Sequence, residues 1–179
     1  MIIHMEGPDR CGKTTIAKYL AKVYNLEYWR YSNVDETLRR NPDHWKYILR
    51  YYYSEIPEFA KMLENQGSGL ILDRNYITEW VYSKLFKRDT YPIILADLES
   101  QYAELGAVTI YCTKKKYDDF EDEFVTKNQI DEIKELYENY FLIFSKMPVL
   151  WLDTTNEDLE KQLEIIDEFL KENVNVDEN

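Results

Sequence analysis

The sequence predicts a three-layer α/β/α domain built on a five-stranded parallel sheet, and three features carry that expectation. Short apolar runs alternate with longer segments of helical period, the pattern of strands buried on both faces under their crossover helices. A glycine-bearing turn joins the first apolar run to the first helical segment. The 179 residues, 45% hydrophobic and 31% charged, contain no Gly/Ser linker, internal repeat or low-complexity tract, so 1–179 is read as one domain. Asn173 to Asn179 lack apolar periodicity and are read as a disordered tail.

Ile2-Ile3-His4-Met5 is the first strand, and Ile16-Ala17-Lys18-Tyr19-Leu20 after the turn is helix-forming. Tyr28-Trp29-Arg30-Tyr31, the weakest pattern of the five, is the second strand. Asp43 to Asn65 reads helical through Trp45, Ile48, Leu49, Tyr52, Phe59 and Leu63. Pro57 has no N–H and should kink or divide it, and Gly67 and Gly69 mark its end. Leu70-Ile71-Leu72, Val108-Thr109-Ile110-Tyr111 and Val149-Leu150-Trp151-Leu152 complete the strands. Ile130, Ile133, Tyr137, Tyr140, Phe141 and Phe144 recur three and four apart, so one face of their helix covers the sheet; Leu159, Leu163, Ile166 and Leu170 repeat this in the last helix.

Lys and Arg total 22 against 34 Asp and Glu, a formal charge of −12. A surface this acidic repels phosphate backbones, which disfavours general nucleic-acid binding. Cys11 and Cys112 are too few and too far apart for a disulfide framework or a four-ligand zinc site, and a reducing compartment suits them. Met1-Ile2-Ile3-His4-Met5 runs into a glycine turn without a basic start or apolar signal segment, and no run of apolar residues is long enough to span a membrane. The expectation is a cytoplasmic protein without a membrane partner. His4 and His44 have no ligand-spaced companion and are read as structural.

Gly7-Pro8-Asp9-Arg10-Cys11-Gly12-Lys13-Thr14 matches G-x-x-x-x-G-K-[ST] between a strand and a helix, the context this phosphate-binding loop requires. Main-chain N–H groups around the glycines and the helix start surround phosphates whose approach leaves no room for a Cβ. Lys13 offers a point charge to the β- and γ-phosphates, and the Thr14 hydroxyl suits Mg²⁺. ATP and Mg²⁺ are therefore the expected cofactors, held by residues 7–14 together with Thr15. Cys11 lacks a nearby His or resolving Cys and is read as a small residue that fits the turn.

Met5-Glu6-Gly7-Pro8-Asp9-Arg10-Cys11-Gly12-Lys13-Thr14-Thr15 resembles the opening of the thymidylate kinases, in which an acidic residue precedes the loop and Asp holds its third position. Gly69-Leu70-Ile71-Leu72-Asp73-Arg74-Asn75-Tyr76 is similar to the strand ending in Asp-Arg of thymidylate kinases and the related deoxynucleoside kinases. Ile77-Thr78-Glu79-Trp80-Val81-Tyr82 looks like its helical continuation in small phage members, which would put the protein in a host cytoplasm. Only these two blocks are specific. The resemblance implies a P-loop NTPase fold of nucleoside monophosphate kinase type. It implies that Lys13 and Thr14 hold the donor triphosphate and Mg²⁺, that Asp9 reaches the acceptor sugar, and that Asp73 and Arg74 bring metal and acceptor phosphate together. A guanidinium grips phosphate with two parallel N–H bonds, and a carboxylate suits a metal-bound water or an acceptor proton.

The family's base-reading Arg stands about twenty residues before Asp-Arg; here Tyr53 occupies that place. Tyr51, Tyr52 and Tyr53 suit either base stacking or a half-buried helix face. The lid arginines of the family are replaced by Lys114-Lys115-Lys116, followed by Asp118, Asp119, Glu121, Asp122 and Glu123, a run that also reads as a solvated surface. Arg10 or Arg30 is then the substitute cation. Trp80, Val81, Leu85 and Phe86 suit a homodimer contact or an ordinary core helix. The expected activity is transfer of the γ-phosphoryl of ATP to a dTMP-like deoxynucleoside 5′-monophosphate, with Lys13, Asp9, Arg74, Asp73 and Arg10 catalytic and Asp9, Arg30, Tyr53 and Arg74 on the acceptor. Three alternatives stay open: a deoxynucleoside kinase, for which Glu27 is a loosely placed base; a kinase of a 5-hydroxymethyluridine-type base in nucleotide or DNA; and a non-catalytic ATP-binding module.

Overall fold

The computed structural model describes residues 1–30, 45–117, 125–156 and 158–174, with the backbone course alone for 45–54. Five strands, β1 (Ile2–Glu6), β2 (Leu26–Arg30), β3 (Gly69–Asp73), β4 (Val108–Thr113) and β5 (Val149–Asp153), form one parallel sheet in the order β2-β3-β1-β4-β5. Each contains or overlaps its expected run; the last expected residue of β2, Tyr31, lies outside the described residues. The helices are α1 (Lys13–Val23), α2 (Trp45–Asn65), α3 (Tyr76–Leu85), α4 (Pro92–Glu104), α5 (Ile130–Ile143) and α6 (Leu159–Asn173).

The two-residue alternation of the strands divides the core into two layers. Ile2, Leu70, Leu72 and Tyr111 face α2 to α5, whereas Ile3, Met5, Ile71, Val108, Ile110 and Cys112 face α1 and α6. β1, flanked by β3 and β4, is buried along its whole length and directs its C-terminal end into the middle of the molecule.

Two elements depart from the sequence reading. Pro57 lies inside an undivided α2; one missing N–H is tolerated because Ile56, Ala60 and Leu63 anchor the helix in the core on both sides of it. The pattern above assigns no helix to 92–104, yet α4 starts with Pro92 in its first turn and buries Leu95, Leu98 and Tyr102. Trp80, Val81 and Leu85 are buried within the chain itself, where Trp80 meets Tyr140 and Phe144, so of the proposed dimer residues only Phe86 is exposed. The helical order of α6 runs through Asn173, and 175–179 fall outside the described residues, as does His44. Among the described residues no helix is long and apolar enough to cross a membrane.

Candidate active site

The loop after β1 takes its shape from its glycines. Gly7 has φ +133°, and a Cβ there would stand 2.1 Å from the Cys112 carbonyl oxygen, so β4 leaves no room for a side chain. Gly12, at φ +77°, caps α1 in the left-handed region, and none of the described residues lies within 4 Å of where its Cβ would be. The first turn of α1 carries no acidic residue to offset its positive end. Gly7, Pro8 and Cys11 are buried and form the back of the loop, not the cavity wall. The Cys11 thiol donates to the Pro8 carbonyl at 2.7 Å, and Thr154, just beyond β5, donates to the Cys11 carbonyl at 3.0 Å. The Lys13 ammonium, 5% exposed, donates to the same Pro8 carbonyl and lies 3.5 Å from the Cys11 sulfur.

A cavity of about 210 Å³ opens at the C-terminal ends of the strands. The loop contributes Asp9, Arg10 and Gly12, the start of α1 contributes Lys13, Thr14 and Thr15, β2 contributes Arg30, and the end of β3 contributes Asp73 and Arg74. Residues from three separate stretches of the chain thus meet where open parallel sheets collect ligands.

Asp73, 1% exposed, accepts from the Thr14 hydroxyl at 2.6 Å and from the Tyr28 hydroxyl at 2.7 Å, both on Oδ2, and Arg30 Nε lies 3.9 Å from the same oxygen. Burial and the Asp73 carboxylate push the Tyr28 phenol up to about 12. Arg74 follows in a left-handed conformation, φ 72°, with its N–H donating to the Met5 carbonyl at 3.0 Å. Its guanidinium pairs with Asp9 at 2.5 Å and lies over the Tyr82 ring, 5.7 Å from the centroid; the Tyr82 hydroxyl donates to the other Asp9 oxygen at 3.1 Å. Burial opposes ionisation of Asp9, but the Arg74 and Lys13 charges and the Tyr82 hydrogen bond outweigh it and hold the carboxyl below its ordinary range.

Behind this pair, Glu6 at the end of β1 is fully buried and accepts from the Asn75 N–H at 3.0 Å, the Thr78 hydroxyl at 2.5 Å and the Tyr137 hydroxyl at 3.3 Å. Burial pushes its carboxyl up to about 7 against the opposing pull of these donors and of Arg74 and Lys13.

Other expected residues lie elsewhere. The side chains of Tyr51, Tyr52 and Tyr53 and the acidic run at 118–123 are outside the described residues. Lys114-Lys115-Lys116 do not line the cavity: Lys115 pairs with Asp153 at 3.2 Å, and Lys115 and Lys116 border a separate cavity of about 380 Å³. Glu27 is exposed on β2, on the opposite side of the strand from Tyr28 and Arg30. Four residues at the site, Glu6, Tyr28, Thr78 and Tyr82, received no role from the sequence. Two-residue alternation from Arg30 would have found Tyr28, the i, i+4 spacing of Thr78 and Tyr82 would have paired those two on one face of α3, and a lone acid ending an apolar strand marks Glu6.

This sheet order and loop make the fold that of the P-loop kinase structures. Among solved structures the chain is similar to YorR of Bacillus subtilis in complex with phosphorylated GDP, at 22% identity over 96% of this chain and 98% of that one, with a TM-score of 0.67. It is similar to deoxyadenosine kinase of M. mycoides with bound dATP, at 20% identity over 96% of this chain and 100% of that one, TM-score 0.61. The same enzyme with bound dCTP matches at 19% identity over the same shares, TM-score 0.56. No protein-family model and no curated protein sequence matches the chain. At these identities the likeness is one of fold.

Proposed function

We propose that this chain is a single-domain, ATP-dependent kinase that transfers the γ-phosphoryl of ATP to a deoxynucleoside 5′-monophosphate. The observation that carries the reading is one cavity in which Lys13 and Thr14 of the loop face Asp73 and the Arg74–Asp9 pair, with Arg30 beside them. Within Gly7 to Thr15 every residue but Pro8 has a main-chain N–H to offer the triphosphate, the helix start adds its positive end, and Lys13 neutralises the terminal phosphates. The Thr14 hydroxyl and the Asp73 carboxylate, 2.6 Å apart at the loop, are a donor set that fits Mg²⁺. When bound there, the ion draws charge from the β- and γ-phosphates.

Arg74 is suited to grip the acceptor phosphate, with Asp9 and Tyr82 holding its guanidinium in place and Asp9 facing the acceptor sugar. In the transfer a bond forms between an acceptor phosphate oxygen and the γ-phosphorus, the bond from that phosphorus to the β,γ-bridging oxygen breaks, and ADP leaves. The protein's part is to align and neutralise, and Arg10 and Arg30 add positive charge at the mouth of the cavity.

A nucleoside acceptor is the second reading, favoured by the structural likeness to deoxyadenosine kinase. Glu27, the base expected for it, is exposed on β2 away from the cavity, so a 5′-hydroxyl would have to give its proton to Asp73 or Asp9, the carboxylates that line the cavity. A mass-spectrometric panel of dTMP, dUMP, 5-hydroxymethyl-dUMP, thymidine, deoxyadenosine and oligonucleotides with Mg²⁺ and ATP decides between them. A diphosphate product is expected, with Lys13→Ala lowering turnover by about 10²- to 10³-fold. Products from nucleosides alone would overturn the monophosphate reading, and no product from any acceptor would leave a module that only binds ATP.

A further inference from the structure

Glu6 is a fully buried carboxylate that no step above uses. It ends β1, one residue before the phosphate loop, and its three donors come from two other elements. The Asn75 N–H and the Thr78 hydroxyl belong to the bend and first turn of α3, and the Tyr137 hydroxyl belongs to α5. The Asn75 bond is the informative one. Asn75 directly follows Arg74, whose φ of 72° is a conformation that non-glycine residues rarely adopt and that surrounding contacts must impose. The bend is pinned on both sides: the Arg74 N–H donates to the Met5 carbonyl, and the Asn75 N–H donates to Glu6. Two successive main-chain donors of the acceptor-binding bend are thereby tied to the two residues that lead into the donor-binding loop. Lys13, Arg74, Tyr137 and Tyr140 are the charged or titratable groups around the carboxylate among the described residues, and neither cation forms an ion pair with it at contact distance.

From this geometry we infer that Glu6 is a positioning residue for phosphoryl transfer: it sets where Arg74 stands relative to the phosphate loop by holding the Asn75 N–H, and so determines acceptor affinity more than ATP affinity. The inference rests on the monophosphate reading, in which Arg74 holds the acceptor phosphate. A guanidinium displaced by about 1 Å loses its bidentate grip, a change on the order of 10²-fold in a positioned site.

The test uses two substitutions of nearly equal volume in the full chain. Glu6→Met fills the buried space but offers no acceptor of comparable strength to Asn75; Glu6→Gln keeps an amide oxygen for Asn75 and a group able to donate to Thr78 or Tyr137. Calorimetric titration with Mg·ATP and, separately, with the monophosphate identified in the acceptor panel gives both affinities without turnover. Glu6→Met should weaken the monophosphate about 10- to 100-fold while Mg·ATP stays within about twofold, and Glu6→Gln should restore the monophosphate to within about threefold of the parent. Should Glu6→Met not fold, Thr78→Val, which removes one donor from the same carboxylate, must weaken the monophosphate severalfold without changing Mg·ATP. Equal monophosphate affinity in Glu6→Met or Thr78→Val and the parent, or parallel loss of both ligands, overturns the inference. A parent that binds Mg·ATP but none of the monophosphates overturns the monophosphate reading itself, and the positioning role with it.

Discussion

At the scale of single residues, β1 carries two buried ionisable groups with opposite consequences for pH. His4 is wedged edge-on against Tyr102, ring centroids 4.4 Å apart, and against Tyr76 at 5.7 Å, and neither nitrogen has a hydrogen-bond partner among the described residues. Burial lowers its pKa from 6.5 to about 3, so the fold requires the neutral ring, and its contribution to stability is lost as pH falls from 6.5 toward 3. Burial raises Glu6 from 4.5 to about 7; its contribution is present at low pH and is lost as pH rises through that interval. Between about pH 4.5 and 6.5 the two slopes oppose each other. Glu6→Gln removes one of them, so its unfolding free energy, measured by urea denaturation at a series of pH values, should gain on the parent's from pH 4.5 to 7. The gain should be on the order of 3 kcal/mol, and a pH-independent difference would contradict the burial argument.

At the scale of elements, a second buried carboxylate does the joining. Glu99 on α4, 2% exposed, accepts from Tyr76 of α3 at 2.6 Å, from Tyr140 of α5 at 2.7 Å, from the Ser145 hydroxyl at 3.0 Å and from the Lys146 N–H at 2.7 Å. Four donors to one carboxylate hold three helices and the turn before β5 together. Glu99→Leu strands two buried phenols and a main-chain N–H and should lower the unfolding free energy by about 3–5 kcal/mol in chemical denaturation, whereas Glu99→Gln, which keeps an acceptor, should cost less. The sequence hides this because α4 has little amphipathic contrast: its buried positions Leu95, Leu98, Glu99 and Tyr102 keep helical spacing, but one of them is charged, and the apolar Ile93 stands exposed off that face. Helices with a strong period, α5 and α6, were legible, since their apolar spacing is a local property of the chain.

At the scale of the whole molecule, the −12 charge surrounds a cavity that brings together Arg10, Lys13, Arg30 and Arg74. A mobile nucleotide enters such a local concentration of cations, whereas a polymer would need a basic track beyond it. Single-stranded oligonucleotides at about 150 mM salt, where exposed charges are screened beyond about 8 Å, should show no binding by fluorescence anisotropy under conditions where Mg·ATP binds in calorimetry. Tight oligonucleotide binding with a steep salt dependence would favour a DNA acceptor instead.

The phosphate loop, the five strands and the pairing of Lys13 with Thr14 could be read from the chain because each depends on neighbours in sequence: a glycine turn, a short apolar run, a helix start. The strand order could not be read, nor the meeting of Arg74 with Asp9 across 65 residues, the two hydroxyls converging on Asp73, or the burial of Glu6. Those follow from parallel pairing between strands joined by long crossovers, a non-local choice that local propensity does not encode, and only the assembled sheet decides which side chains share its C-terminal edge.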